Sequence, residues 1–158
     1  NTKFAGYNIH YAKEITVRNN IFALGRLAAL SRSRVEPHIS CIFENNIVYH
    51  TQGKLLDENW KDEPYEFYQG PNNPKSKQTQ TFAADHNVYF NPGVPADKAD
   101  FNGRTLQQWQ KAGKDAHSAY ADPMFINIEA FDFRLKPDSP ALKLGFVPID
   151  LTAVGPRR

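Results

Sequence analysis

Arg18-Asn19-Asn20-Ile21-Phe22 decides the fold, because its switch from polar to apolar residues returns twice. The later copies are Glu44-Asn45-Asn46-Ile47-Val48-Tyr49 and Asp85-His86-Asn87-Val88-Tyr89-Phe90. A strand-like run leads into each: Ile15 and Val17 precede Asn20, and Ile39, Cys41 and Phe43 precede Asn46. One supersecondary unit written three times is the mark of a repeat architecture. Asn enters the left-handed helical region more readily than any residue except Gly, so a strand, one such Asn and a second strand make a sharp corner without a long loop. Stacked corners would set Asn20, Asn46 and Asn87 above one another, each amide bonding the next. The expected fold is all-β, a right-handed parallel β-helix of about three to four coils. An antiparallel sandwich with ordinary hairpins is the competing reading. Two-residue hairpins favour Asn-Gly or Asp-Gly, and none of the three copies has Gly there.

Working outward, 158 residues with 41% hydrophobic and 13% aromatic content suffice for one domain with a core. The run of residues opening at Asn1-Thr2-Lys3 reads as a cut piece, with no signal-peptide pattern and no apolar stretch of membrane-span length. A net charge of +2 with both signs interspersed gives no pointer to nucleic acid. The single Cys41 excludes an internal disulfide and reads as a small buried hydrophobe. No cofactor and no metal set is expected.

The first coil spans residues 4 to 25, and a second runs from Leu27 to Gly53, Asn20 to Asn46 being 26 residues. From Asn46 to Asn87 is 41 residues, and the excess falls in an expected insertion over 57–80, broken by Pro64, Gly70, Pro71 and Pro74. Tyr65-Glu66-Phe67-Tyr68 within it is expected to cover the side of the solenoid rather than to pair locally. Thr105-Leu106-Gln107-Gln108 is a capping box that predicts a short helix over 105–112, with Leu106 and Trp109 on one face. Met124-Phe125-Ile126, Phe131 to Leu135 and Ala141 to Leu144 read as strand-like pieces of a final rung and its cap. Residues 148–158 are expected to form an extended tail.

The Asn corners, together with Ser31-Arg32-Ser33-Arg34-Val35-Glu36-Pro37-His38, Gly113-Lys114-Asp115-Ala116-His117-Ser118, Ala121-Asp122-Pro123-Met124-Phe125 and Leu135-Lys136-Pro137-Asp138-Ser139-Pro140-Ala141-Leu142, carry a resemblance. The chain resembles the C-terminal part of bacterial right-handed parallel β-helix proteins of the pectate-lyase-like superfamily. Closest are the large glycoside hydrolases that include fucosidase and xylanase activities. The resemblance covers nearly all of the chain except the insertion, and its motifs mark fold more than reaction. It implies a carbohydrate ligand, a secreted or periplasmic setting, and further rungs before Asn1. An open coil edge would then invite self-association or covering by those rungs.

Candidate chemistry falls on the part of each coil opposite the corner. Arg32 and Arg34, two apart on an expected strand, should share one face close to Glu36 and His38, with His10 and Tyr11 from the first coil alongside. Arg forks grip carboxylates and hydroxyls, Glu36 and His38 can serve as acid or base, and Tyr11 can stack on a sugar ring. Asp57 and Glu58 are the other acids near this face, and Trp60 is a candidate sugar platform. The leading expectation is part of a glycoside hydrolase acting on plant or microbial polysaccharide by carboxylate acid/base chemistry; the alternatives are a polysaccharide lyase with an Arg base and a non-catalytic glycan-binding or structural β-helix. The lyase would want clustered Asp ligands for Ca²⁺, which the sequence lacks. Asp85, His86, Glu14 and Glu44 read as turn residues, and His117 near Asp115 as part of a cap in preference to a metal ligand or proton relay.

Overall fold

A computed structural model describes residues 2–36, 38–61, 65–67, 76–78 and 80–150, with 65–67 and 76–78 described for their backbone only. The chain first lays down β1 (Ala5–Ile9), β2 (Ile15–Arg18) and β3 (Ile21–Ala23). It then repeats the series as β4 (Ala28–Arg32), β5 (Cys41–Glu44) and β6 (Ile47–Tyr49). The third pass supplies β7 (Lys54–Leu56), an excursion with β8 (Tyr65–Phe67) and β9 (Ser76–Gln78), then β10 (Ala83–Asp85) and β11 (Val88–Phe90). A fourth contributes β12 (Ala119–Tyr120) after the helix α1 (Leu106–Lys111). These strands form three parallel sheets, ordered β1-β4-β7, β10-β5-β2 and β12-β11-β6-β3. The described residues are thus mostly strand with few helices, in parallel sheets that do not close into a barrel.

The register follows the repeat read from the corners. Ile15 pairs with Cys41 and Ile21 with Ile47, both 26 residues apart, while Val88 pairs with Ile47 across 41 residues. The amides stack as well. Asn20 donates from its backbone N–H (3.0 Å) and its Nδ2 (3.2 Å) to Asn46 Oδ1, and Asn46 donates from the same two atoms to Asn87 Oδ1 (2.9 and 3.3 Å). The left-handed residue lies one position earlier than the stacking amide. Asn19, Asn45 and His86 have φ of 54°, 52° and 56°. The turn therefore needs one residue that tolerates positive φ and a second that reaches the next pass.

Burial explains why the short strands read as unbroken apolar runs. All three side chains of β6 are buried, Val48 toward the main core and Ile47 and Tyr49 toward a second cluster on the other side of the sheet. A parallel sheet covered on both faces has this composition. The main core carries a file of rings: Phe22 to Phe43 at 5.7 Å, Phe43 to Trp60 at 6.1 Å, Trp60 to Phe82 at 4.9 Å and Phe82 to Trp109 at 5.9 Å. Trp109 comes from α1, whose capping box forms as expected. Gln108 N–H donates to Thr105 Oγ1 at 3.3 Å and Thr105 N–H to Gln108 Oε1 at 2.9 Å. Burial of Trp109 among Phe82 and Phe101 places α1 in the main core.

Three expectations are corrected. Within the insertion, β8 and β9 pair antiparallel, Tyr65 opposite Gln78, so this excursion does pair locally. β13 (Phe125–Asn127) and β14 (Asp132–Leu135) form an antiparallel pair rather than another parallel level. The stretch after Ser139 is a helix, α2 (Pro140–Lys143), because Ser139 Oγ caps Ala141 N–H and Pro140 suits a first helical turn. This C-terminal segment packs on the outer side of the four-stranded sheet, where Asn45 Nδ2 holds the Leu144 carbonyl (2.8 Å) and Asn19 Oδ1 accepts from Val147 N–H (3.1 Å). Of the tail expected over 148–158, residues 151–158 lie outside the described residues.

Candidate functional site

The residues expected to share one wall separate into a buried set and an exposed set. β4 ends at Arg32, so the two-residue alternation does not continue to Arg34. Arg32 is 1% exposed, donates from Nη1 to Thr81 Oγ1 at 3.2 Å, and lies 5.3 Å from the Phe82 ring and 5.7 Å from the Trp60 ring. Burial pulls its pKa down, and Cys41, Asp57 and Glu36 oppose that. An Arg enclosed in this way cannot grip a substrate at the surface. Trp60 is buried just as fully and packs on Phe82, which removes it as a sugar platform.

Asp57 is occupied by structure. Its Oδ2 accepts from Ser31 Oγ (2.6 Å) and Arg32 N–H (2.8 Å), and its Oδ1 from Asn59 N–H (3.0 Å). These bonds tie the end of β4 to the turn that follows β7, while Glu58 points to solvent. His38 donates from Nε2 to the Ala12 carbonyl at 3.0 Å, bridging the first and second passes. Neither Asp57 nor His38 is left poised for proton transfer.

The exposed set does come together. Tyr11 is 67% exposed, Arg34 lies 4.7 Å from its ring centroid, and the His10 ring meets it edge-on at 4.2 Å. Arg34 Nε pairs with Glu36 Oε1 at 2.6 Å. Tyr11 has φ of 51°, so the chain bends there and lifts its ring from the sheet. The result is a small platform of one exposed ring edged by a cation and an imidazole, with the cation held by Glu36, whose own side chain is only 12% exposed.

A second polar cluster lies on the corner column. Asp85, at the end of β10, presents Oδ2 to His117 Nδ1 at 2.8 Å and to His86 Nδ1 at 3.3 Å. Its Oδ1 accepts two backbone N–H groups, from His86 (2.9 Å) and His117 (2.7 Å). Burial raises the Asp85 carboxyl, but the bonds from His117 and His86 outweigh it and leave the group below its ordinary value. The imidazoles of His86 and His117 stack with centroids 4.8 Å apart and planes at 24°. From the sequence, Asp85 and His86 read as turn residues and His117 as part of a cap. His86 and His117 are 31 positions apart, and only the pairing of β11 with β12 brings them level.

Beneath that column a carboxylate ends the amide ladder. Asp115 is buried and accepts from Ser118 Oγ (2.5 Å), Trp109 Nε1 (2.8 Å), Asn87 Nδ2 (3.0 Å) and Tyr89 OH (3.0 Å). Burial pushes its carboxyl up, the four bonds push it down, and the balance leaves it above its ordinary value. Cys41 is fully enclosed, and burial pushes its thiol up to about 11, which keeps it in the inert protonated form. Comparison with protein-family profiles, curated proteins and solved structures found no match for this chain.

Proposed function

We propose that the successive passes of the chain through the three parallel sheets are the coils of a right-handed parallel β-helix of the pectate-lyase-like kind. We further propose that the chain serves a carbohydrate-active protein by holding an oligo- or polysaccharide. The fold reading is supported by the order of passage, in which the chain visits the sheets of β1, β2 and β3 in the same sequence on the second pass. The functional reading rests on the platform at Tyr11. Sugars present apolar C–H faces ringed by hydroxyls, and an exposed aromatic ring flanked by Arg34 and His10 complements both features.

Binding is favoured over cleavage within this chain. Glycoside hydrolysis takes two carboxyl groups, about 5 Å apart in retaining enzymes and further apart in inverting ones. Glu36 is engaged by Arg34, and Asp57 is committed to Ser31, Arg32 and Asn59. Titration with a panel of plant and microbial oligosaccharides, followed by calorimetry, tests the proposal. Tyr11→Ala should weaken binding at least tenfold, and unchanged affinity would remove the platform from consideration. Glu36→Gln in a protein that shows hydrolysis separates the roles, since a holding role keeps most of kcat while a catalytic acid does not.

A further inference from the structure

We propose that Asp85, His86 and His117 form a binding site for a divalent transition-metal ion, Zn²⁺ being the ion best matched to its donors, and that the ion staples the third pass of the chain to the fourth. One donor atom from each residue lies within 4.8 Å of the other two, and each imidazole turns its Nδ1 toward Asp85 Oδ2. Two imidazoles with one carboxylate form a borderline-soft set, which suits Zn²⁺ and its first-row neighbours rather than Mg²⁺ or Ca²⁺. Around a tetrahedral ion with bonds of about 2.0–2.1 Å, neighbouring donors stand roughly 3.3–3.5 Å apart. Asp85 Oδ2 is already 2.8 and 3.3 Å from the two nitrogens, so sub-ångström shifts on that side open room for an ion.

The surroundings hold these donors in place. Asp85 Oδ1 is fixed by the backbone N–H groups of His86 and His117, which aims Oδ2 outward between the rings. Second-shell bonds of this kind orient ligating carboxylates. Asp85 and His86 sit on a β corner, where β10 ends and β11 follows, and His117 sits in the turn between α1 and β12. Glu44 pairs with Asp85 in register and adds negative charge to the same column. Binding requires each Nδ1 to offer its lone pair, which moves the ring proton to Nε2 and replaces the two contacts to Oδ2 with bonds to the ion. The exposure of both imidazoles leaves the ion's remaining position open to water or to a small anionic ligand. The site lies apart from the Tyr11 platform and is independent of the glycan reading.

Co²⁺ and Zn²⁺ are the probes. Titration of the protein with Co²⁺ should give visible absorption bands of a low-coordinate N/O site saturating at one equivalent per chain, and Zn²⁺ should displace them. His117→Gln and His86→Asn, the latter chosen because Asn tolerates the left-handed backbone at position 86, should each weaken binding at least tenfold. Both should keep the wild-type circular dichroism. Zn²⁺ should raise the Tm of the wild type and not of His117→Gln. Equal affinity in His117→Gln and wild type, or Co²⁺ retaining its aquo spectrum at a tenfold excess of folded protein, would overturn the site.

Discussion

Asn46 serves three passes of the chain with one side chain. Its Oδ1 accepts both donors of the half-buried Asn20, and its Nδ2 donates, inside the protein, to the Val17 carbonyl at 2.8 Å and to Asn87 Oδ1 at 3.3 Å. Asn46→Ala strands buried polar groups on both sides and should cost about 3 kcal/mol, measured by denaturant unfolding. Asn46→Asp should be no better, because a carboxylate oxygen would face the acceptors Val17 O and Asn87 Oδ1. Asp115 gives a pH signature. Its folded pKa lies above its ordinary 3.8, so the folded state holds this proton more tightly than the unfolded state. Stability from this group is therefore full below the unfolded value and is lost as pH rises through the folded value. Wild type should fall relative to Asp115→Asn as pH is raised from about 4, and a flat difference curve would refute the assignment. The ladder was legible in the repeated Asn-Asn, but which Asn turned the chain was not, since adjacent Asn residues share the same backbone tolerance. Burial of Arg32 was hidden for a related reason: alternation says which side a residue takes only while the strand lasts, and β4 stops at that residue.

At the scale of elements, α1 was the easiest to read, because a capping box and a buried Trp on one face are local signals. Thr105→Ala should lower stability by about 1 kcal/mol, seen as a shift in the denaturation midpoint without a change of slope. Gly53 closes the turn between β6 and β7 at φ of 66°, and a Cβ there would come within 2.5 Å of the Arg26 carbonyl and nearer still to that of Leu27. Gly53→Ala should therefore destabilise by at least about 2 kcal/mol, since backbone and not a movable side chain stands in the way. The antiparallel pair of β13 and β14 escaped the sequence reading because alternation fixes faces and leaves strand direction open. The meeting of Asp85 with His117 escaped for a stronger reason, as spacing along the chain carries no trace of which turns will stack.

For the whole molecule, the edges of the sheets matter most. In all three parallel sheets the first pass supplies a terminal strand: β1, β2 and β3 each end their order. Phe4 and Ile15 are exposed in the same pass. Unpaired strand edges beside apolar side chains promote pairing with another chain. The isolated chain should associate as concentration rises, measured by light scattering on a sizing column, and Ile15→Lys should reduce that association. The amide ladder adds a polarity. Donors run from Asn20 toward Asn87, and the line finishes on Asp115, a carboxylate that takes four hydrogen bonds and has no N–H to pass onward. With Trp109 lying against it, the amide ladder is chemically terminated at that end and can be extended only at the other. Two copies meeting through their growing ends can form a closed pair, whereas the head-to-tail contact that would propagate a fibre has no matching partner.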